Sequence, residues 1–127
     1  MEYSNWQVLV VEDERDSIRM VSDMLTHFGI QVSVANNGEE CLASLHQSAP
    51  TLVVMDLSMP VMDGWETLAE MRADMRTAHI PVVAITAYHS ASVAQDALAA
   101  GFDAYFPKPL DATSFVKQLA GIVGGAN

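Results

Sequence analysis

Basic residues are scarce in this chain: six Lys and Arg stand against sixteen Asp and Glu, for a formal charge of −10. Lysine occurs only at 108 and 117. Nucleic acid is bound by clustered Lys and Arg that neutralise phosphates, so no nucleic-acid partner is expected. Cysteine occurs once, as Cys41, which excludes an internal disulfide framework and suits a small buried hydrophobe. No apolar run approaches the roughly 18 residues that cross a bilayer. The start, Met1-Glu2-Tyr3-Ser4-Asn5, lacks the basic segment of a signal peptide. A cytoplasmic protein with no membrane partner is therefore expected. Repeats, linkers and low-complexity segments are also missing, so residues 1–127 read as one domain.

What is present is an ordinary core-forming composition, 50% apolar and only 17% charged. Five short apolar runs alternate with five helix-like stretches. The runs are Val8–Val11, Val32–Ala35, Leu52–Met55, Val82–Ile85 and a weaker Ala104–Phe106. Runs one, three and four are apolar without alternation, as parallel strands covered on both faces should be. Ile18, Val21, Leu25 and Phe28 follow helical spacing, with Gly29 where a C-terminal cap belongs. Further helices are expected over about 39–47, 65–75 and 90–100. The last carries Phe115, Leu119 and Ile122 on one stripe, with Gly124-Gly125 beyond it. This βα repetition implies one parallel sheet with right-handed crossovers and helices on both faces.

Ligands of such sheets sit beyond the carboxyl ends of the strands, so the residues following each strand matter most. Glu12, Asp13 and Glu14 follow the first, Asp56 the third, Thr86 the fourth, and Lys108-Pro109 the fifth. Taken singly, each has a plain explanation. A lone Asp after a strand is usually a turn residue, and an acidic triplet is usually a solvated helix start. Their joint occurrence at one sheet edge is what points to chemistry. Carboxylates about 4 Å apart repel by about 4 kcal/mol at an effective dielectric of 20. A divalent cation such as Mg2+, which prefers oxygen ligands, relieves that repulsion. Asp56 then has the setting of an aspartyl-phosphate nucleophile, with the Lys108 ammonium and Thr86 hydroxyl to neutralise the transferred oxygens.

Four stretches carry a family resemblance. They are Val8-Leu9-Val10-Val11-Glu12-Asp13-Glu14, Met55-Asp56-Leu57-Ser58-Met59-Pro60-Val61-Met62-Asp63-Gly64, Ile85-Thr86-Ala87 and Tyr105-Phe106-Pro107-Lys108-Pro109. Together they resemble the response-regulator receiver family of two-component signalling, over about Trp6 to Ile122. The resemblance implies a flavodoxin-like (βα)5 three-layer α/β sandwich with a five-stranded parallel sheet in the order 2-1-3-4-5. It implies Asp56 as phosphoacceptor, and Asp13 as the main carboxylate ligand of Mg2+ with Glu12 assisting. The Ser58 carbonyl, with Asp56, would complete the protein ligands. Thr86 would be the switch hydroxyl, Lys108 the phosphate-pairing lysine and Tyr105 the aromatic rotamer switch. The implied partners are a sensor histidine kinase or histidine phosphotransfer protein upstream and an unidentified protein downstream. The Lys108-Pro109 peptide is expected to be cis. Glu12 stands where many members have Asp, Pro107 is less usual, and Ser58 and Tyr88 occupy variable positions.

Other classes fit less well. A haloacid-dehalogenase-type phosphatase needs a second Asp where Ser58 stands. A flavodoxin-like cofactor binder needs a phosphate-binding loop where Glu12-Asp13-Glu14 would repel phosphate. A receiver that has lost its chemistry would not keep Asp13, Asp56, Thr86 and Lys108. The chain is therefore expected to be a signalling switch rather than an enzyme, catalysing only its own phosphorylation and dephosphorylation. The histidines at 27, 46, 79 and 89 share no ligand spacing and read as surface or structural residues. Trp65 reads as packing. Met20, well off the first helix's stripe, suits a single exposed apolar residue, and the family resemblance implies a phosphodonor contact there. The fourth and fifth helices carry too few charges for a salt-bridged dimer, so a monomer or weak dimer is expected. The natural-looking ends favour a stand-alone regulator over a fragment of a hybrid kinase.

Overall fold

The computed structural model describes residues 3–124. Five strands alternate with five helices along the chain: β1 (Gln7–Val11), α1 (Arg15–His27), β2 (Gln31–Ala35), α2 (Gly38–Gln47), β3 (Leu52–Asp56), α3 (Gly64–Ala73), β4 (Val82–Thr86), α4 (Ala91–Ala100), β5 (Ala104–Pro107) and α5 (Ala112–Gly124). The strands form one parallel sheet in the order β2-β1-β3-β4-β5. The expected flavodoxin-like sandwich is thus the architecture observed.

The unbroken apolar runs have a direct cause. Every residue of β3 and β4 is buried, because successive side chains enter different layers. Val53 and Met55 join Leu45, Leu68, Met71 and Ala97 on one face of the sheet. Leu52 and Val54 join Val21, Leu25, Phe115 and Leu119 on the other. Helices α2, α3 and α4 therefore cover one face, and α1 and α5 the other. Phe106 and Phe115 meet edge to face at 4.9 Å between ring centres and tie β5 to α5. Each such buried ring contributes about 1.5–3 kcal/mol over leaving it exposed. Strand β2, at the sheet edge, has only Ala35 fully buried.

Helix ends follow local chemistry. Glu14, Asn37, Asp63 and Ser90 cap the first four helices with side-chain oxygens. Asp63 and Glu66 form a reciprocal capping box. Helix α3 stops two residues sooner than its sequence pattern suggests. Asp74 leaves the helix to bind the Arg76 backbone and guanidinium, and Thr77 turns back onto the Met71 carbonyl. Gly124 closes α5 rather than lying beyond it. Met1 and Gly125, on which the sequence reading also leaned, lie outside the described residues.

Candidate functional site

Asp56 is the last residue of β3 and is only 6% exposed. The chain packs tightly behind it. A Cβ on Gly64 would come within 2.5 Å of the Asp56 carbonyl oxygen, so only glycine lets α3 begin this close to the strand end. Ahead of Asp56 lie Glu12, Asp13, Glu14, Ser58, Ala87, Tyr88 and Lys108, which line one cleft with it. In this cleft Glu12, Asp13, Asp56, Ser58 and Lys108 are sequence-expected site residues, contributed by the end of β3 and by loops far apart in the chain.

Glu12 is fully buried and organises the cleft. One of its oxygens accepts the backbone N–H groups of Asp13 and Glu14, each at 3.2 Å. The other accepts Lys108 Nζ at 2.7 Å. Lys108 also donates to Ser17 Oγ at 3.0 Å and stands 3.9 Å from Asp56 Oδ2. The lysine therefore rests on Glu12, with Asp56 as its more distant neighbour. Sequence reasoning gave Lys108 the transferred phosphoryl group as its partner and foresaw neither Glu12 nor Ser17 as its resting contacts. The available signal was Ser17's place four residues after Asp13, in the first turn of α1.

Burial pushes the Asp56 carboxyl up to about 7, helped by a hydrogen bond and negative charge from Glu12, against the opposing pull of Lys108 and the Ser58 N–H. Ser58 N donates to Asp56 Oδ1 at 3.2 Å. Glu12, Asp13 and Asp56 offer carboxylate oxygens that all lie within 4.8 Å of one another. An all-oxygen donor set with no nitrogen or sulfur fits Mg2+. Asp13, exposed where Glu12 and Asp56 are buried, is the member most open to a hydrated ion.

Thr86 is buried, and its Oγ1 accepts the Tyr88 N–H at 3.0 Å. It lines a neighbouring cleft of about 340 Å³ with Leu57, Ser58, Trp65 and Tyr88. Tyr105 lies on β5, away from the acidic cluster. Its hydroxyl meets His89 Nδ1 at 2.9 Å, a contact that no spacing argument could reveal. Trp65 packs on Phe102 at 5.8 Å between ring centres. Met20, 49% exposed, lines an apolar groove of about 240 Å³ with Val21, Lys108, Pro109 and Leu110. The Lys108-Pro109 peptide is cis. Cys41 is buried, and burial pushes its thiol up to about 12, which makes it unreactive.

An acidic, oxygen-only cluster closed by one lysine, at the carboxyl edge of a sheet ordered 2-1-3-4-5, defines a class of α/β signalling module rather than a hydrolase or a nucleotide binder. The family model described as the response regulator receiver domain matches residues 8–120. The chain belongs to that family and is a receiver domain of two-component signalling. It is 36% identical over 112 residues to an uncharacterized 14.6 kDa protein of Leptolyngbya boryana, covering 88% of this chain and 86% of that one. It is 31% identical over 116 residues to histidine kinase P4 of Formosa agariphila, covering 91% of this chain but 8% of the kinase. The chain thus spans most of one relative and a small part of the other. The receiver domain of a sensor histidine kinase from Pseudomonas aeruginosa, solved with magnesium coordinated in its active-site cleft, superposes with a TM-score of 0.86. It is 26% identical and covers 94% of this chain and 98% of that one. Receiver domains bind Mg2+ at an acidic pocket, and the cluster here suits that role. Among the described residues, no helix is long and apolar enough to cross a membrane.

Proposed function

We propose that this receiver domain takes a phosphoryl group onto Asp56 from a phosphohistidine, on a sensor histidine kinase or a histidine phosphotransfer protein. The observation that carries the reading is the setting of Asp56: a buried carboxylate at a strand end, with two acids beside it and an ammonium 3.9 Å away. A carboxylate oxygen of Asp56 forms the new bond to phosphorus as the phosphorus–nitrogen bond of the donor breaks. The donor imidazole leaves with that electron pair. Glu12, Asp13, Asp56 and the Ser58 carbonyl would hold magnesium, which supplies positive charge for the transferred oxygens. Lys108 supplies the second positive charge from its place on Glu12, 3.9 Å from Asp56 Oδ2. The apolar groove beside Met20 and Pro109 suits the donor's docking, because it opens next to Lys108.

Output follows from two hydroxyls. Thr86 Oγ1, now held by the Tyr88 amide, would turn to the new phosphoryl oxygens. Tyr105 would give up His89 and turn inward, altering the face of α4, β5 and α5 that a downstream protein reads. The test is incubation with acetyl phosphate and Mg2+, followed by intact mass and peptide mapping. One phosphate on the peptide holding Asp56 is expected, and none on the Asp56→Asn variant. Equal labelling of that variant sinks the reading.

A further inference from the structure

Ser17 joins the two halves of the site's hydrogen-bonding network, and its position is unlike that of an ordinary helix-start serine. Its backbone N–H is spent on the Glu14 cap, at 3.1 Å from Oε1. Its hydroxyl faces Glu14 Oε2 at 3.4 Å and Lys108 Nζ at 3.0 Å. The ammonium carries donors only, so the serine oxygen must accept from Lys108. That leaves the single hydroxyl proton for the Glu14 carboxylate. The direction of every bond is then fixed: Lys108 donates to Ser17, and Ser17 donates to Glu14. Glu14 in turn donates its own N–H to Glu12 Oε2, and Glu12 holds Lys108 through its other oxygen. The ring closes on the one lysine of the site.

We propose that Ser17 is a positioning residue for Lys108. A lysine stem is flexible, and holding its ammonium in one place costs rotamer freedom. Glu12 alone fixes the ammonium's distance but not its direction. A second short partner from α1 holds it in the cleft, 19% exposed and 3.9 Å from Asp56 Oδ2. From there it reaches an incoming phosphoryl oxygen without leaving Glu12 first. Removing the Ser17 oxygen frees the stem, lets the ammonium sample solvent, and slows phosphoryl transfer. The inference rests on reading Lys108 as the cation that meets the phosphoryl group, but the placement of Lys108 is measurable without any phosphorylation.

Two readouts separate the possibilities. The first is limiting acetic anhydride labelling of the unphosphorylated chain. The sequence has only two lysines, so exposed Lys117 serves as an internal reference. The ratio of Lys108 to Lys117 labelling should rise about tenfold in Ser17→Ala, the low end expected for losing a hydrogen bond to a charged group. Ser17→Thr, which keeps the oxygen, should return it close to wild type. The second is the phosphorylation rate with acetyl phosphate and Mg2+. Ser17→Ala should lower the maximal rate several-fold while leaving the half-saturating acetyl phosphate concentration unchanged, and Ser17→Thr should restore it. A structural role for Ser17 in starting α1 would instead lower the urea midpoint in both variants. Unchanged Lys108 labelling in Ser17→Ala, or failure of Ser17→Thr to restore it, overturns the proposal. If the wild type takes no phosphate at Asp56, the function proposed above fails, while the labelling ratio still decides the role of Ser17.

Discussion

Asp56 is held in conflict with its surroundings. Burial and the neighbouring Glu12 both oppose its charge, and Lys108 at 3.9 Å only partly offsets them. Its folded value of about 7 lies above the unfolded value of 3.8. The associated stability is therefore fully present below about pH 4 and is lost as pH rises through about 7. Asp56→Asn removes the charge and keeps the shape. In EDTA the variant should match wild type near pH 4 and become more stable by about 1–3 kcal/mol above pH 8. Mg2+ should narrow the gap, because it binds the native wild-type cluster. Urea titrations across pH check both parts, and a variant less stable than wild type at pH 8 contradicts them. Val61 carries a different strain. Its φ is 71° although it is β-branched and 71% exposed, and it sits at the centre of a tight turn closed by Met62 N on the Pro60 carbonyl at 2.8 Å. The positive φ of such a turn costs a β-branched residue about 1–3 kcal/mol. Val61→Gly, which enters positive φ without a Cβ penalty and forfeits little burial, should raise stability by about 0.5–1 kcal/mol in the same urea assay.

Among the elements, the joint between α3, the loop after it and the start of β5 depends on one guanidinium. Arg72 donates to the carbonyls of Ala78, Ile80 and Gly101 and to Asp103 Oδ2, at 2.7–3.1 Å. Asp103 then accepts the Val82 N–H at 2.8 Å, which ties the joint to β4. A planar fork with several donors does this and an ammonium does not. Arg72→Ala should cost about 2–4 kcal/mol, since it orphans several acceptors, and Arg72→Lys should recover less than half of that in thermal or urea unfolding. Nothing in the sequence pattern announced Arg72, because its partners are backbone carbonyls, whose positions only the folded chain defines. The strands were legible for the opposite reason: burial on both faces writes an unbroken apolar run at 52–55 and 82–85. Site residues at strand ends were legible because topology alone carries Glu12, Asp13, Asp56 and Lys108 to one edge. The pairing of Lys108 with Glu12 and Ser17, and of Tyr105 with His89, depends on side-chain directions that spacing does not encode.

At the scale of the whole molecule, the remaining question is what the face of α4, β5 and α5 meets. The chain's charge is strongly negative, yet this face holds little of it. Among the described residues, α4 carries Asp96 as its only charge, β5 carries none, and α5 carries Lys117. The acids at its margins are engaged already: Asp103 holds Arg72, and Asp111 accepts the Ser114 N–H at the start of α5. Self-association through a network of ion pairs needs several opposite charges on one surface, and exposed pairs contribute only about 0–1 kcal/mol each. One Asp and one Lys per chain cannot supply such a network. What the face offers instead is a field of alanines around Leu98, which is 55% exposed, on a helix whose polar cap is Ser90. Alanine is also a strong helix former, so the small residues fit helix propensity alone, while the scarcity of charge argues against a charge-paired surface. With beryllofluoride and Mg2+ standing in for the phosphorylated state, light scattering should give the mass of a single chain at low salt, or a weak dimer insensitive to ionic strength. A tight dimer that dissociates as salt is raised would show that the charges on this face suffice after all.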